Sequence, residues 1–399
     1  MLARAGKPTV LVFARFYLPG FKAGGPIRTI ANLVEALGDD IDFRIVTSDR
    51  DATDRAPYPD LPGPGSWTDI GKARVLYLAP QEKRLRRIAE ILRSTPYDTL
   101  YLNSFFDPVF TCMPLLVRRL GPPSQRRCIV APRGEFSAGA LDLKRFRKRL
   151  YLWGVQMGAL YRDVTWQASS DVEAADIRRA LSDSANDIRV AANLPEALVR
   201  GYADLYRPRA PGEPLRICFL SRISPMKNLD FALEILRDVH VSVRFDIYGP
   251  IRDDAYWLRC QERLAQLPPH MAWSFNGPVD NAGVRTVLQQ YDLLLLPTRG
   301  ENFGHIILES LTAGTPVVIS DATPWRDLET IGVGWDLPLG GLRQFTSVID
   351  KVSHMPAERM LAMRAQARAF GIERRSDPRT IAANRALFTA ALAEKNSTT

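Results

Sequence analysis

The chain has 399 residues, of which 46% are apolar, and a net charge of +9. This length exceeds what one hydrophobic core usually organises, so we expect two domains, and the apolar content argues against a disordered protein. No apolar run approaches the roughly 20 residues of a membrane-spanning helix, no signal peptide is recognised, and the scattered cysteines and histidines do not favour a zinc site. The basic charge favours an anionic partner, which could be a nucleic acid, a phospholipid surface or a phosphorylated small molecule.

The first half of the chain alternates short apolar strands with helical stretches. A strand is predicted at "PTVLVFAR" (8–15), followed by the glycine turn "AGGP" (23–26) and a helix over 27–37 with apolar residues at helical spacing. Further strands are predicted at "DFRIVT", "ARVLYL", "DTLYLN" and "RCIVAP", most of them separated by helical patterns. This alternation predicts a parallel sheet covered by helices.

A second alternating series begins after a proline-rich stretch without periodicity. Its strands are predicted at "LRICFLSR", "SVRFDIYG", "DLLLLPT" and "TPVVIS", and the tail from about 357 to 395 is predicted to be helical throughout. We therefore expect an N-terminal Rossmann-like domain (1–195), a linker (196–213), a C-terminal Rossmann-like domain (214–375) and a final helix (376–399) packing back on the first domain. The predicted fold class is α/β, with two doubly wound domains facing each other across a cleft and ligands at the carboxyl ends of the strands.

The stretch "RGENFGHIILES" (299–310) places two carboxylates around a helix start. Glu301 lies in the loop and Glu309 in the helix, on the order of 10 to 12 Å apart at 1.5 Å per helical residue. Asn302, Phe303 and Gly304 put backbone N–H groups between them, which suits a phosphate. Two acids so spaced could bind hydroxyls on either side of a diphosphate, as in a nucleotide-sugar. Alternatively, Glu301 is a loop acid and Glu309 a solvated helix residue.

Two further loops carry groups that could bind phosphate. In "FLSRISPMKNLDFALEIL" (219–236), Arg222 and Lys227 bracket a loop before a helix, where they could neutralise a leaving diphosphate without a metal ion, or could be solvated cations. In "AGGP", Gly24 and Gly25 allow close approach of the backbone to a ligand, although a plain turn explains them equally well.

Together these motifs resemble those of the retaining glycosyltransferases of family 4, which have the GT-B architecture. The family's E-x7-E pattern corresponds to Glu301 and Glu309, its Arg/Lys loop to "SRISPMK" and its first-domain glycine loop to "AGGP". The stretches "GTPVVISDATPW" and "GVGWDLP" are also similar to family sequences. The resemblance is strongest from about 213 to 340 and weaker in the first domain.

The resemblance implies roles for these residues. Glu301 would contact the donor sugar as the catalytic residue, Glu309 would bind the ribose hydroxyls, and the glycine loop would close on the donor from the opposite domain. Attack would occur on the front face, with the leaving phosphate assisting deprotonation, so neither an enzymic nucleophile nor a metal or other cofactor would be required. The implied donor-binding residues are Gly24, Gly25, Arg222, Lys227, Asn302, Phe303, Gly304 and Glu309.

The first domain departs from the family pattern. Many relatives have a histidine near the donor sugar, but residues 1 to 239 contain none, and the strand end reads "LNSFF". Asn103 and the "APRGEF" residues Arg133 and Glu135 are therefore the acceptor-side candidates. An Arg–Glu loop pair without a ligand is an equally open interpretation.

The segment "KRFRKRLYLWGVQMGALYR" (144–162) has six basic residues, no acid and apolar residues along one helical side. Such a helix could rest on an anionic membrane, or its apolar side could face the protein core. The family favours the membrane, because many members glycosylate lipid-linked acceptors at the cytoplasmic face. The basic residues concerned are Lys144, Arg145, Arg147, Lys148 and Arg149.

The leading hypothesis is a cytoplasmic hexosyltransferase, peripheral to the inner membrane, that uses a nucleoside diphosphate sugar to extend a lipid-linked intermediate of a bacterial surface polysaccharide. A nucleotide-sugar epimerase with GT-B architecture is one alternative, although the E-x7-E context argues against it. A basic nucleic-acid-binding protein is another, but no nucleic-acid-binding module is recognised, so we expect no nucleic-acid partner.

Overall fold

The structure is a computed structural model that describes residues 7–59, 61, 65–122, 126–137, 160–181, 185–196 and 205–396. The chain divides into two compact units. The first unit comprises Met1–Ala197 and Pro378–Thr399, and the second comprises Leu198–Asp377. The basic residues Lys144, Arg145, Arg147, Lys148 and Arg149, predicted to contact a membrane, lie outside the described residues.

The described part of the first unit contains an eight-stranded sheet in the order β3-β4-β2-β1-β5-β6-β7-β8. All neighbouring strands are parallel except β3 and β4. The strands are β1 (Thr9–Ala14), β2 (Asp42–Ser48), β3 (Trp67–Ile70), β4 (Ala73–Leu78), β5 (Thr99–Asn103), β6 (Arg127–Ala131), β7 (Thr165–Ala168) and β8 (Asp187–Val190). The helices are α1 (Gly25–Leu37), α2 (Leu85–Ser94), α3 (Met113–Leu120) and α4 (Asp171–Leu181), with a π-helical turn at Pro108–Cys112.

The described part of the second unit contains a six-stranded, fully parallel sheet in the order β11-β10-β9-β12-β13-β14. Its strands are β9 (Leu215–Leu220), β10 (Val243–Tyr248), β11 (Met271–Phe275), β12 (Leu293–Leu296), β13 (Val317–Ser320) and β14 (Gly334–Leu337). The helices of this unit are α5 (Leu229–Arg237), α6 (Asp254–Leu264), α7 (Asn281–Gln289), α8 (His305–Ala313), α9 (Leu328–Ile331), α10 (Leu342–Ser353) and α11 (Ala357–Arg375).

The central strands are buried on both faces because helices cover both sides of each sheet. This explains why they are nearly continuous apolar runs, such as Leu293–Leu296, rather than alternating patterns. The predicted α/β class with two Rossmann-like units is thereby confirmed. Periodicity did not predict the short strands β3, β7, β8, β11 and β14, which have four or five residues each.

Strand register aligns the strand ends that carry the candidate residues. In the first unit, Ala14 pairs with Asn103, and Asn103 pairs with Ala131. The loops that leave β1, β5 and β6 therefore begin side by side at the carboxyl edge of the sheet. In doubly wound sheets this edge is where ligands bind.

The last helix, α12 (Pro378–Asn396), belongs to the first unit although it follows the second in sequence. Phe388 makes edge-to-face contacts with Phe43 and Tyr101, with ring centroids 6.0 and 5.1 Å apart. Asn384 Nδ2 donates to the Ala192 carbonyl at 2.7 Å. The tail predicted as helical throughout is interrupted between α11 and α12, where Pro378 lacks the N–H of an uninterrupted helix.

Replacing Phe388 with Ala should lower the free energy of unfolding of the first unit by about 3 to 5 kcal/mol, because a buried ring is removed and a cavity is left. Phe388 is 1% exposed, whereas Leu120, a matched control in the same unit, is 74% exposed. Leu120→Ala should change stability by less than about 0.5 kcal/mol. Denaturant unfolding followed by circular dichroism checks both values, and equal effects of the two substitutions would contradict the packing role of α12.

Candidate functional site

Two loops of the second unit, 221–228 after β9 and 297–304 after β12, are joined by hydrogen bonds. The Met226 carbonyl accepts from Arg299 N at 2.8 Å and from Thr298 Oγ1 at 3.0 Å. Asn228, which has left-handed backbone angles, donates from Nδ2 to the Pro297 carbonyl at 2.9 Å and accepts from Arg299 Nε at 3.0 Å. The two loops therefore form one structure at the carboxyl edge of the sheet.

A third loop, after β10, packs against the first. Gly249 has a φ of +136°, and a Cβ at this position would lie 1.9 Å from the Ser221 carbonyl oxygen. Ile223 N donates to the Pro250 carbonyl at 2.9 Å. Only glycine at position 249 allows the two backbones to approach this closely. The position of Arg222, which follows Ser221, therefore depends on this glycine.

Lys227 and Glu301 form an ion pair between the two loops. Lys227 is 7% exposed, and burial lowers the pKa of its ammonium group although the Glu301 carboxylate opposes the shift. The neighbouring Arg222 is partly buried, and burial also lowers its pKa. Two cations thus share one carboxylate, which leaves this corner of the unit with net positive charge.

Helix α8 begins at Gly304, which has left-handed backbone angles (φ +75°). A Cβ at Gly304 would lie 2.8 Å from Ile307 Cδ1 and 3.1 Å from Trp325 Nε1, and that indole donates to the Phe303 carbonyl at 2.7 Å. In the described structure no side chain caps the first turn of α8. The positive end of the helix dipole therefore lies beside the net positive charge of Arg222, Lys227 and Glu301, as an anion site requires.

Glu309 is partly buried in the second turn of α8, on the face shared with His305 four residues before it. The predicted helix and its closure by Gly314, a left-handed C-cap residue, are confirmed. The structure thus brings together the five predicted site residues of one loop and helix with the Arg222–Lys227 loop. The predicted separation of the two carboxylates and their contacts with a donor stay predictions.

In the first unit, Gly24 immediately precedes α1, with φ +70° and ψ −128°. Its amide donates to the Phe21 carbonyl at 2.9 Å. The Asp51 carboxylate anchors the same loop by accepting from the amides of Phe21 and Lys22 at 2.7 and 2.9 Å. Gly24 needs the conformational freedom of glycine for this turn, and a donor contact by Gly24 and Gly25 stays a prediction.

The three acceptor-side candidates separate into two groups. Asn103 Oδ1 accepts from Arg133 Nε at 3.1 Å and from one terminal nitrogen at 2.7 Å. Glu135 instead accepts from Ser104 Oγ at 2.7 Å and from the amides of Phe105 and Phe106. Arg133 and Glu135 do not pair with each other in the described structure, so the interpretation as an Arg–Glu loop pair is wrong, because Glu135 binds the backbone after β5.

The sequence did not identify several residues that shape these sites. Asn193 accepts from Arg133 at 2.6 Å, Trp325 holds the loop before α8, and Asn228 joins the two loops. Asn193 lies 60 positions from Arg133, and Trp325 lies 22 positions from Phe303. No local pattern signals such contacts.

The residues that the structure describes contain no group of three or more His, Cys, Asp or Glu side chains that could hold a metal ion. They also include no helix that is long and apolar enough to cross a membrane.

The fold is shared with solved glycosyltransferase structures over nearly the whole chain. HepE of Anabaena in complex with UDP-glucose matches with a TM-score of 0.66 and 14% sequence identity, covering 97% of this chain and 99% of HepE. At this low sequence identity the match shows a shared fold and nothing about activity. It confirms the GT-B fold class predicted from the sequence. The protein has the GT-B architecture.

Residues 206–370 match the family described as "Glycosyl transferases group 1". This range contains Arg222, Lys227, Glu301, Gly304 and Glu309, and it lies within the second unit. The second unit is therefore similar to the glycosyl transferases of group 1, and this similarity supports the predicted enzyme class.

Two relatives match by sequence over parts of the chain. A protein described as an uncharacterized 41.2 kDa protein in the cps region of Klebsiella pneumoniae is 24% identical over 62% of this chain and 66% of its own length. The phosphatidyl-myo-inositol mannosyltransferase of Mycobacterium leprae is 35% identical over 31% of this chain and 33% of its own length. The matches thus span about two thirds of the first relative and one third of the second.

Replacing Glu301 with Gln should lower the pKa of Lys227 further below its ordinary value of 10.5, because the carboxylate favours the charged ammonium group that burial disfavours. At pH values between the pKa of Lys227 in the folded protein and its higher pKa in the unfolded chain, the unfolded chain binds more protons. The free energy of unfolding therefore rises with pH in this range, and the substitution widens the range by lowering the folded-state pKa. A 13C NMR titration of the lysine Cε resonance measures the pKa. Glu309→Gln is the control, because Glu309 is not among the groups that shift this pKa; an unchanged pKa in Glu301→Gln would contradict the pairing.

Proposed function

We propose that the protein is a retaining glycosyltransferase resembling family 4, which transfers a hexose from a nucleoside diphosphate sugar to a glycan acceptor. The observation that carries this proposal is the buried Lys227–Glu301 pair, with Arg222 beside it and the uncapped start of α8 next to both. Net positive charge and a helix N-terminus at the carboxyl edge of a parallel sheet suit a diphosphate. The group 1 domain and the UDP-glucose complex of HepE support the same donor class.

The diphosphate would lie against Arg222 and Lys227 and the amides of Asn302, Phe303 and Gly304. A phosphate that approaches Lys227 competes with Glu301 for the same ammonium group, because both are anions. Glu301 would then be available to accept hydrogen bonds from hydroxyls of the donor sugar. Glu309, further along α8, would accept hydrogen bonds from the ribose.

The proposed reaction uses these positions as follows. The acceptor hydroxyl oxygen forms a bond to the anomeric carbon while the bond from this carbon to the phosphate oxygen breaks. The hydroxyl proton passes to the leaving phosphate, so the products are a glycoside and a nucleoside diphosphate. Arg222, Lys227 and the helix start stabilise the negative charge that develops on the phosphate, and therefore we propose that no metal ion is needed.

The acceptor is proposed to be a lipid-linked glycan. The mycobacterial relative is a phosphatidyl-myo-inositol mannosyltransferase, named after a lipid, and the Klebsiella relative comes from a cps region. The net charge of +9 favours association with an anionic surface. We therefore propose a cytoplasmic protein that is peripheral at the membrane.

Glu301→Gln should lower kcat for transfer by about 10²- to 10³-fold, because an interaction with the reacting sugar is lost. Glu309→Gln should instead raise the KM for the donor about tenfold, since one hydrogen bond to a charged group is weakened. Release of nucleoside diphosphate from UDP-, GDP- and ADP-sugars, with a panel of glycan acceptors, measures both effects. Glu358→Gln, at an exposed position of the second unit, is the matched control.

Two results would contradict the proposal. The first is the absence of turnover of every nucleotide-sugar with every acceptor. The second is conversion of a nucleotide-sugar into its isomer without an acceptor, which would identify an epimerase. Equal kinetics of Glu301→Gln and Glu358→Gln would remove Glu301 from the reaction.

A further inference from the structure

The guanidinium group of Arg133 is held by neutral partners. Its Nε and one terminal nitrogen donate to Asn103 Oδ1, its other terminal nitrogen donates to Asn193 Oδ1 at 2.6 Å, and a further contact joins it to the Tyr101 hydroxyl. No carboxylate lies within ion-pair distance of Arg133 among the residues that the structure describes. The nearest carboxylate shown beside it is that of Glu173, which is 4% exposed and accepts from the amide of Gly134 at 2.5 Å rather than from the guanidinium. Arg133 therefore has no direct ion-pair partner, although partly buried cations usually have one.

A chain of hydrogen bonds fixes this arrangement. The Tyr101 hydroxyl also donates to Gln167 Oε1, and Gln167 Nε2 donates to the Ala191 carbonyl at 3.0 Å. Ala191 N in turn donates to the Ala168 carbonyl at 2.8 Å. Arg133 itself has a left-handed φ of +58°, an uncommon conformation for a residue other than glycine. The guanidinium is therefore positioned by a rigid set of neutral groups at the carboxyl edge of the sheet.

Two unused donors remain in this cluster. A guanidinium has five N–H groups, and the four contacts of Arg133 leave one of them, on the nitrogen that faces Asn193. Asn103 uses Oδ1 for Arg133, so its amide Nδ2 points elsewhere, and this buried atom makes no hydrogen bond in the described structure. The residue is 7% exposed. A buried donor without a partner, as the Asn103 amide is, costs free energy unless a ligand satisfies it.

We propose that Arg133, with Asn103 beside it, is a binding subsite for an anionic group on the acceptor, either a phosphoryl group or a carboxylate. This inference rests on the proposed function and adds the chemical class of the acceptor. The delocalised positive charge attracts an oxyanion, to which the remaining Arg133 N–H would donate, and the unpaired Asn103 amide is a second donor of the subsite. Asn193 and Tyr101 act as positioning residues.

The test is Asn193→Asp, which places a carboxylate where Asn193 Oδ1 now accepts from Arg133. The new carboxylate keeps this hydrogen bond and neutralises the guanidinium, so the protein should unfold at the same or a higher temperature while it loses anion binding. A purely structural role for Arg133 predicts the gain in stability without a loss of binding. Asn276→Asp makes the same change of charge at an exposed position of the second unit and is the matched control.

Calorimetric titrations of the full chain with glucose 6-phosphate, glucuronate and glucose identify the group. Wild type and Asn276→Asp should bind at least one of the two anionic sugars about tenfold or more tightly than glucose, and Asn193→Asp should lose this preference. The two anionic sugars distinguish a phosphoryl group from a carboxylate. Equal affinity of the wild type for all three sugars, or a preference that survives in Asn193→Asp, would overturn the inference.

Nucleoside diphosphate binding in the same samples separates this inference from the proposed function. If a nucleoside diphosphate binds but the wild type has no preference for an anionic sugar, only the anionic subsite is wrong. If no nucleoside diphosphate binds, the proposed function itself fails. Asn193→Asp should leave nucleotide affinity unchanged, because Asn193 is not among the residues of the proposed diphosphate site.

Discussion

The buried ion pair between Lys227 and Glu301 is the interaction on which the candidate site depends. Removing two charges from water costs several kcal/mol per ion, and only close pairing offsets this cost. The pair therefore adds to the hydrogen bonds that join the loops after β9 and β12 only while each partner keeps its opposite charge. Arg222 adds a second cation to the single carboxylate, so an arriving anion finds an electrostatic environment that already favours it.

The backbone conformation around this ion pair is also constrained. Gly249 allows the loop after β10 to approach Ser221, and Gly304 permits the left-handed turn that starts α8 against Trp325. The strands fix where each loop begins, since all neighbours in this sheet are parallel and end at the same edge. Preorganisation of this kind places charges before the substrate arrives, which is the usual source of electrostatic catalysis.

The sequence predicted the features that depend on local patterns. Apolar runs predicted the central strands β1, β9 and β12, and the glycine after "FGHIILESLTA" predicted the end of α8. These predictions succeeded because burial and helix capping depend on a few neighbouring residues. The motif containing Glu301 and Glu309 and the loop containing Lys227 were recognised separately. Their ion pair was not predicted, because it joins positions 74 residues apart.

The same reason explains the errors in the first unit. Arg133 and Glu135 are two positions apart and suggested a pair, but their partners follow other strands, Asn193 after β8 for Arg133 and the backbone after β5 for Glu135. Short edge strands such as β7 and β8 have too few residues to show a period. Tertiary contacts decide these features, and a single sequence does not encode them in any local signal.

The most direct test of the donor site is a 31P NMR titration of the full chain with UDP, GDP and ADP, on wild type and on Lys227→Met. We expect that one nucleoside diphosphate binds and that its β-phosphate resonance shifts. Lys227→Met should abolish both effects, whereas Lys351→Met, at an exposed position of the same unit, should not. Binding that is indifferent to Lys227, or no binding by any of the three nucleotides, would contradict the proposed donor site.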